Sequence, residues 1–278
     1  MSATLAPSTA PPALLTFLEE VRIAVDAELA RRLASPADDP GRMIEAMRYA
    51  ATGPGKRLRP AVLIAAAEAC GGARARAMPA ACAIEMMHAY TLVHDDLPAM
   101  DDDDERRGRP TVHIAFGEAI ALLAGDGLLT GSFGALAELG PQAGAAVAVM
   151  ARRAGPLELL AGQAIDIGDP PRDLVAIERL HARKTGALFA AAAELGGIAA
   201  GAEPAVCEAL GRYGMAIGIA FQHADDRDDH ELQEHAAAAA ERMVTLSAEA
   251  REIARRFGAR GATLESIAGW FGSRAAPV

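Results

Sequence analysis

Lysine is almost missing from this chain: of its 27 Lys and Arg residues, only Lys56 and Lys184 are lysines. Basic residues as a group are outnumbered by 37 Asp and Glu, giving a net charge of −10 and a pI near 5.2. That balance argues against a nucleic-acid binder working through a basic face. Cysteine is scarce too. Cys70, Cys82 and Cys207 are odd in number and fall in alanine-rich stretches, so no disulfide framework is expected and a reducing, cytoplasmic setting fits. No apolar run reads as reaching the roughly 20 residues of a membrane span. The run from Ala143 to Ala151 stops at Arg152, and that from Tyr213 to Phe221 stops at Gln222. Residues 1–12 hold no Lys or Arg and no signal-peptide core; they read as a disordered tail. β-Branched alternation is nearly absent, and no Asn-Gly hairpin signal is found.

What is present is apolar and helical. Hydrophobic residues make up 51% and charged residues 23% of the 278, enough for a sizeable core and too apolar for a disordered chain. Alanine dominates, and straight-chain apolar residues recur at three- and four-residue spacing. The reading is an all-α fold of about ten helices, forming a single domain over 1–278. Helices are predicted over 14–33, 61–70 after Pro60, from Pro79 to the Asp95 region, 117–139, 143–153, 156–167, 174–200, 204–228, 232–257 and 264–271.

Two aspartate clusters interrupt this background. One is Asp95-Asp96-Leu-Pro-Ala-Met-Asp101, continuing to Glu105; the other is Asp225-Asp226-Arg-Asp228-Asp229. A lone acidic run reads as a solvated face. Here each cluster follows a largely apolar helical stretch, and the motif occurs twice. Asp225 and Asp229 are four apart, on one helix face, where like charges repel by a few tenths of a kcal/mol unless a cation lies between them. Pro98 prevents placing Asp101 by ideal helical geometry. Carboxylates in such excess favour a hard ion such as Mg²⁺, which completes its shell with water and substrate phosphate. A di-iron centre is the rival, with His94, His223 and His230 nearby. It ranks lower because the one Glu-x-x-His pair, Glu85 and His88, stands alone.

A phosphate-bearing ligand also needs cations. Gly53-Pro-Gly-Lys-Arg-Leu-Arg-Pro60 offers Lys56, Arg57 and Arg59 in a Gly/Pro loop before a helix, a setting that favours an anion, although taken alone it reads equally well as a surface loop. Arg106-Arg107-Gly108 follows the first acidic cluster and reads equally well as its neutraliser. Both lysines lie in short Gly-containing basic segments, and an ammonium is a compact point charge suited to a phosphate oxygen.

In this order, the blocks resemble the trans-isoprenyl diphosphate synthases, the polyprenyl synthetase family of farnesyl and geranylgeranyl diphosphate synthases. The matching segments are 55–60, Glu85-Met-Met-His88, Asp95 to Asp101 with 106–108, Gly117-Glu-Ala-Ile, Gly125-Asp-Gly-Leu-Leu, Gly162-Gln163, Lys184-Thr185-Gly186, and Phe221-Gln222 with Asp225-Asp226. The resemblance implies antiparallel helices around a deep central cavity, a homodimer, and Mg²⁺ as cofactor. It implies Asp95, Asp96 and Asp101 as metal ligands on one side and Asp225, Asp226 and Asp229 on the other. Lys56, Arg59, His88 and Arg107 would hold isopentenyl diphosphate; Arg106, Lys184, Thr185 and Gln222 would hold the allylic diphosphate. The reaction implied is ionisation, condensation and proton loss. Tyr90 and Thr91, five and four residues before Asp95, would form the cavity floor. Tyr90 resembles farnesyl-type enzymes, so farnesyl diphosphate is the expected product, with geranylgeranyl diphosphate as the alternative.

The second cluster departs from the family pattern. His223 and Ala224 stand where an apolar residue and a glutamine are usual, and Arg227 and Asp228 where an apolar pair is usual. No lysine follows Lys184. Arg227 is expected to compete with metal for the aspartates. These departures motivate a second alternative, a non-catalytic subunit of a prenyl synthase.

Overall fold

The computed structural model describes residues 10–168, 171–228 and 235–274. The expected all-α architecture is found, with thirteen α-helices among the described residues rather than about ten. The chain begins with α1 (Pro12–Arg32), α2 (Met43–Ala51), α3 (Leu58–Ala69) and α4 (Arg74–Asp95). A two-stranded hairpin, β1 (Glu105–Arg106) and β2 (Arg109–Pro110), leads to α5 (Val112–Phe116), α6 (Glu118–Ala137), α7 (Ala143–Arg153) and α8 (Leu159–Gly168). Then come α9 (Leu174–His181), α10 (Ala187–Ala199), α11 (Pro204–Asp228), α12 (Ala236–Arg255) and α13 (Ala262–Ser273).

Helix α10 is the centre of the packing. All thirteen of its residues are buried, as expected of a helix that is apolar nearly all round. It packs against α3, α4, α7 and α11, while α6 lies on α4 and α12 on α11. Its small side chains let backbones meet. A Cβ on Gly196 would stand 2.2 Å from the Leu63 carbonyl oxygen of α3, and one on Gly214 of α11 only 2.3 Å from the Phe189 carbonyl oxygen. The one charge on α10, Glu194, is 4% exposed and is clamped by Arg152 at 2.7 Å and by Arg153. Two arginines satisfy a carboxylate that would otherwise carry a large desolvation cost.

Several expectations need correction. Helix α4 begins at Arg74, not at Pro79; the proline sits inside the second turn and deletes only one backbone bond near the helix start. The run expected as one helix over 174–200 is divided by a π-helical turn, Ala182–Gly186, which a 3.6-residue pattern does not announce. The short hairpin was not expected, because its turn is Arg107-Gly108 rather than Asn-Gly. Both residues have positive φ, 55° and 75°, as a two-residue hairpin turn of the primed type requires. Helix α6 is 20 residues long with mean hydropathy 1.5, long and apolar enough by length and composition to cross a membrane, contrary to the reading of the runs; 39% of that stretch is buried in the fold. Pro12, assigned to the tail, is already helical; residues 1–9 lie outside the described residues. The three cysteines are free.

Gly214→Ala is expected to destabilise the fold by about 1–3 kcal/mol, because the clash is with backbone that cannot rotate away. Chemical denaturation would measure it, and an unchanged midpoint would show that α10 and α11 can separate at no cost.

Candidate active site

The basic loop before α3 is organised by Arg57. Its backbone is left-handed, φ 50°, and its side chain is 4% exposed. Nε donates to Asp26 of α1 at 2.6 Å, Nη1 to Glu85 of α4 at 2.9 Å, and Nη2 to the Gly53 carbonyl at 2.8 Å. One guanidinium thus ties the loop to two helices, a structural use among the three cations of the motif. Lys56 and Arg59 line a cavity of about 780 Å³. The Arg59 guanidinium lies 4.8 Å from the centre of the Phe189 ring. Burial lowers its pKa to about 10, so it stays charged at neutral pH.

His88, one turn beyond Glu85 on α4, faces the same cavity. Burial pushes its pKa well below the usual value, with Arg59 and Arg107 adding to the effect. His88 is therefore a neutral hydrogen-bonding imidazole rather than a third cation. The hairpin brings Arg106 and Arg107 to the cavity wall. Arg107 donates to the Pro54 carbonyl at 2.7 Å. Arg106 donates to Asp96 at 2.5 Å and to Asp103 at 3.1 Å, so the neutralising role read for this arginine pair is filled by Arg106.

The end of α4 carries the first acidic cluster. The chain folds back at Pro98: the Asp101 N–H donates to the Asp95 carbonyl at 2.9 Å and the Asp102 N–H to the Leu97 carbonyl at 3.2 Å. This turn, with Asp102 at φ 54°, returns Asp101 to Asp95, which ideal helical spacing could not place. Burial raises the Asp95 carboxyl to about 6; Lys184 opposes the shift and Asp101 reinforces it. Burial raises Asp96 as well, with Arg106 opposing. An acidic group held this high is short of positive charge, and the oxygen-only donor set of Asp95, Asp96 and Asp101 fits a hard divalent ion.

The π turn presents the next residues. Lys184 is ion-paired with Asp166 of α8, a partner that sequence inspection did not single out. The Thr185 hydroxyl donates to Gln222 Oε1 at 2.9 Å, and Gln222 Nε2 donates to Asp226 Oδ1 at 2.8 Å. Thr185, Gln222 and Asp225 line the cavity opposite the basic loop. Of the seventeen residues lining it, eight are expected site residues: Lys56, Arg59, His88, Arg106, Arg107, Thr185, Gln222 and Asp225. Asp95, Asp96, Asp101, Asp226, Lys184, Tyr90 and Thr91 are not part of that lining.

The second cluster divides. Asp225 has Arg274 Nη2 at 3.7 Å, a cation contributed from the end of α13 that no motif marked. Arg227, expected beside the aspartates, donates to the Arg274 carbonyl. Asp226 is 7% exposed and lies 3.1 Å from His181 Nε2. Burial works against its ionisation, but the contacts to His181 and Gln222 outweigh it and hold the carboxyl below the usual range. His223 packs edge-on to His181 at 4.9 Å; burial lowers its pKa to about 4, with His181 adding to the shift. His94 lies 3.1 Å from the Leu122 carbonyl and is not among the metal-type groupings of the described residues, which counts against the di-iron reading. Tyr90 is 6% exposed and edge-on to His94 at 5.6 Å; Thr91 donates to the His88 carbonyl. Asp229 and His230 lie outside the described residues.

The sequence model of the polyprenyl synthetase family matches residues 41–237. Large subunit 1 of the heterodimeric chloroplastic geranylgeranyl pyrophosphate synthase of Arabidopsis thaliana is 44% identical over 225 residues, covering 77% of this chain and 59% of its own length. Farnesyl diphosphate synthase of Geobacillus stearothermophilus is 39% identical over 218 residues, covering 76% and 73%. The crystal structure of an FPP/GFPP synthase from Zymomonas mobilis superposes with a TM-score of 0.85 at 38% identity, over 92% of this chain and 97% of that one.

Because a proton and a cation compete for a carboxylate titrating near 6, apparent Mg²⁺ affinity is expected to fall as pH drops through that value. Calorimetric titration between pH 5 and 7.5 checks it. A flat affinity over that range would remove Asp95 from the cation-binding set.

Proposed function

From the premise that the chain belongs to the polyprenyl synthetase family, we propose that it condenses isopentenyl diphosphate with an allylic diphosphate, with farnesyl diphosphate as product. The observation that carries this reading is the single cavity flanked by basic residues of the α3 loop and hairpin on one side and by Thr185, Gln222 and Asp225 on the other. Two diphosphates need such a shared space, walled by cationic side chains.

In this mechanism Lys56, Arg59 and Arg107 hold the isopentenyl diphosphate by charge, and neutral His88 adds one N–H. Arg106, Lys184, Thr185 and Gln222 hold the allylic diphosphate. The Thr185 hydroxyl fixes the Gln222 amide, so that group needs no reorganisation as negative charge builds on the leaving oxygen. Asp95, Asp96 and Asp101, together with Asp225, Asp226 and Asp229 of the second motif, would hold Mg²⁺, which when bound supplies Lewis-acid stabilisation of the departing diphosphate. The allylic C–O bond ionises, the isopentenyl double bond attacks the cation, and the proton lost goes to the released diphosphate. No protein nucleophile is required.

Buried Tyr90 supports the farnesyl product, as a bulky group on α4 just before the aspartates. The geranylgeranyl product is the second reading, favoured by the name of the 44% identical plant relative. A homodimer is supported by Leu122 and Leu123 of α6, each 48% exposed, an apolar face suited to a second copy. The three free cysteines support a cytoplasmic setting.

Incubation with Mg²⁺, isopentenyl diphosphate and each of dimethylallyl, geranyl and farnesyl diphosphate is expected to end at the farnesyl chain. Ending at geranylgeranyl would keep the mechanism and move the floor away from Tyr90. No elongation by folded protein would favour the non-catalytic subunit. Asp95→Ala and Asp225→Ala are each expected to lower turnover by at least about a hundredfold with circular dichroism intact; full activity in both would sink the metal assignment. Tyr90→Ala is expected to lengthen the product, as chromatography of the dephosphorylated alcohols would show.

A further inference from the structure

His223 is the departure within the second acidic cluster, and the structure gives it a definite neighbourhood. It lies three residues before Asp226 on α11, so the two side chains share a helix face. Facing them is His181, the last residue of α9. The His181 and His223 rings meet edge to face with centres 4.9 Å apart, and His181 Nε2 is 3.1 Å from Asp226 Oδ2. One potential ligand atom from each of the three residues falls within 4.8 Å of the others. All three side chains are more than nine-tenths buried, at 6%, 2% and 7% exposure. Among the described residues, His181 Nδ1, His223 Nε2 and Asp226 Oδ2 have no hydrogen-bond partner, an expensive arrangement for buried polar atoms unless something else engages them.

The chemistry of this trio differs from that of the cavity carboxylates. Two imidazoles and one carboxylate are the protein ligands of many three-ligand zinc sites, with a fourth position left for water. Imidazole nitrogen selects borderline ions over Mg²⁺. The Glu178 carboxylate lies within electrostatic reach of both rings, its charge balanced by Arg242 at 2.5 Å. We propose that His181, His223 and Asp226 form a binding site for a zinc-type transition-metal ion, centred on the two imidazoles and sharing only Asp226 with the carboxylates assigned to Mg²⁺. Such an ion would join the end of α9 to α11. It would thereby hold the π turn that carries Lys184 and Thr185, and it would engage Asp226 through Oδ2, the oxygen not bonded to Gln222. The inference rests on this geometry and not on prenyl transfer.

The test is titration of the full-length, metal-free protein with Co²⁺, a spectroscopic stand-in for Zn²⁺. The expected result is one equivalent bound, a visible d–d absorption of low-coordinate, nitrogen-ligated cobalt, displacement by Zn²⁺ but not by excess Mg²⁺, and a raised melting temperature. His223→Leu, with its fold checked by circular dichroism, is expected to lose at least about tenfold in Co²⁺ affinity together with the absorption, and His181→Gln likewise. Asp95→Ala is expected to keep both. Absence of the absorption in the wild-type protein would overturn the proposal, whatever the variants do. Equal Co²⁺ affinity in wild type and His223→Leu would overturn it too. None of these readouts depends on elongation activity, so failure here is distinguishable from failure of the proposed reaction.

Discussion

Everything in the site is held at a distance set by one small-residue helix. Helix α10 contributes no cation and no ligand to the acidic clusters, yet it touches both α4 and α11, the helices on which those clusters end. Glycines at its contacts remove the side-chain layer that would otherwise push its neighbours outward, so the backbones of α3 and α11 approach it directly. Side-chain packing tolerates repacking; backbone contact does not. The placement of α3 and α11 against α10 is therefore fixed by backbone contact.

Charge is distributed in two regimes. Where the fold needs a buried ion to be silent, arginine and carboxylate are matched in geometry: Arg57 with Asp26 and Glu85, and Arg152 and Arg153 with Glu194. Breaking such a pair leaves an uncompensated buried charge, at a cost of several kcal/mol. Around the cavity the matching is incomplete. Asp95 is pushed up towards neutrality, and Arg59 and His88 are pushed away from carrying a proton. The first acidic cluster wants a cation, and the basic wall of the cavity wants an anion.

The legibility of this design was uneven for physical reasons. Helices with uninterrupted patterns and clear stops were readable to the residue, as with Ala143–Arg153 and Pro204–Asp228. Cavity residues marked by motif, such as Lys56, Arg59, His88 and Gln222, do line one space. What stayed hidden depends on contacts distant in sequence or on backbone states with no periodic signature. The π turn at 182–186 adds one residue per turn without changing composition. Arg107 takes a positive φ that an arginine does not advertise. Asp166 and Arg274 are ordinary charged helix residues until the fold brings them to Lys184 and Asp225. His223 was visible as a departure, but its partner His181 lies 42 positions away on another helix.

The scarcity of lysine acquires a structural meaning from these contacts. Arginine forms the two-pronged pairs that brace the helices: Arg22 with Glu19, Arg32 with Glu138, Arg242 with Glu178. A planar fork suits a carboxylate and loses little freedom per bond. Lysine offers no such geometry, only a mobile point charge on a flexible stem. Of the two that remain, one lines the cavity and the other lowers the Asp95 pKa from the π turn. Neither forms a two-pronged pair: Lys184 makes a single-point contact to Asp166, and bracing has been left to arginine.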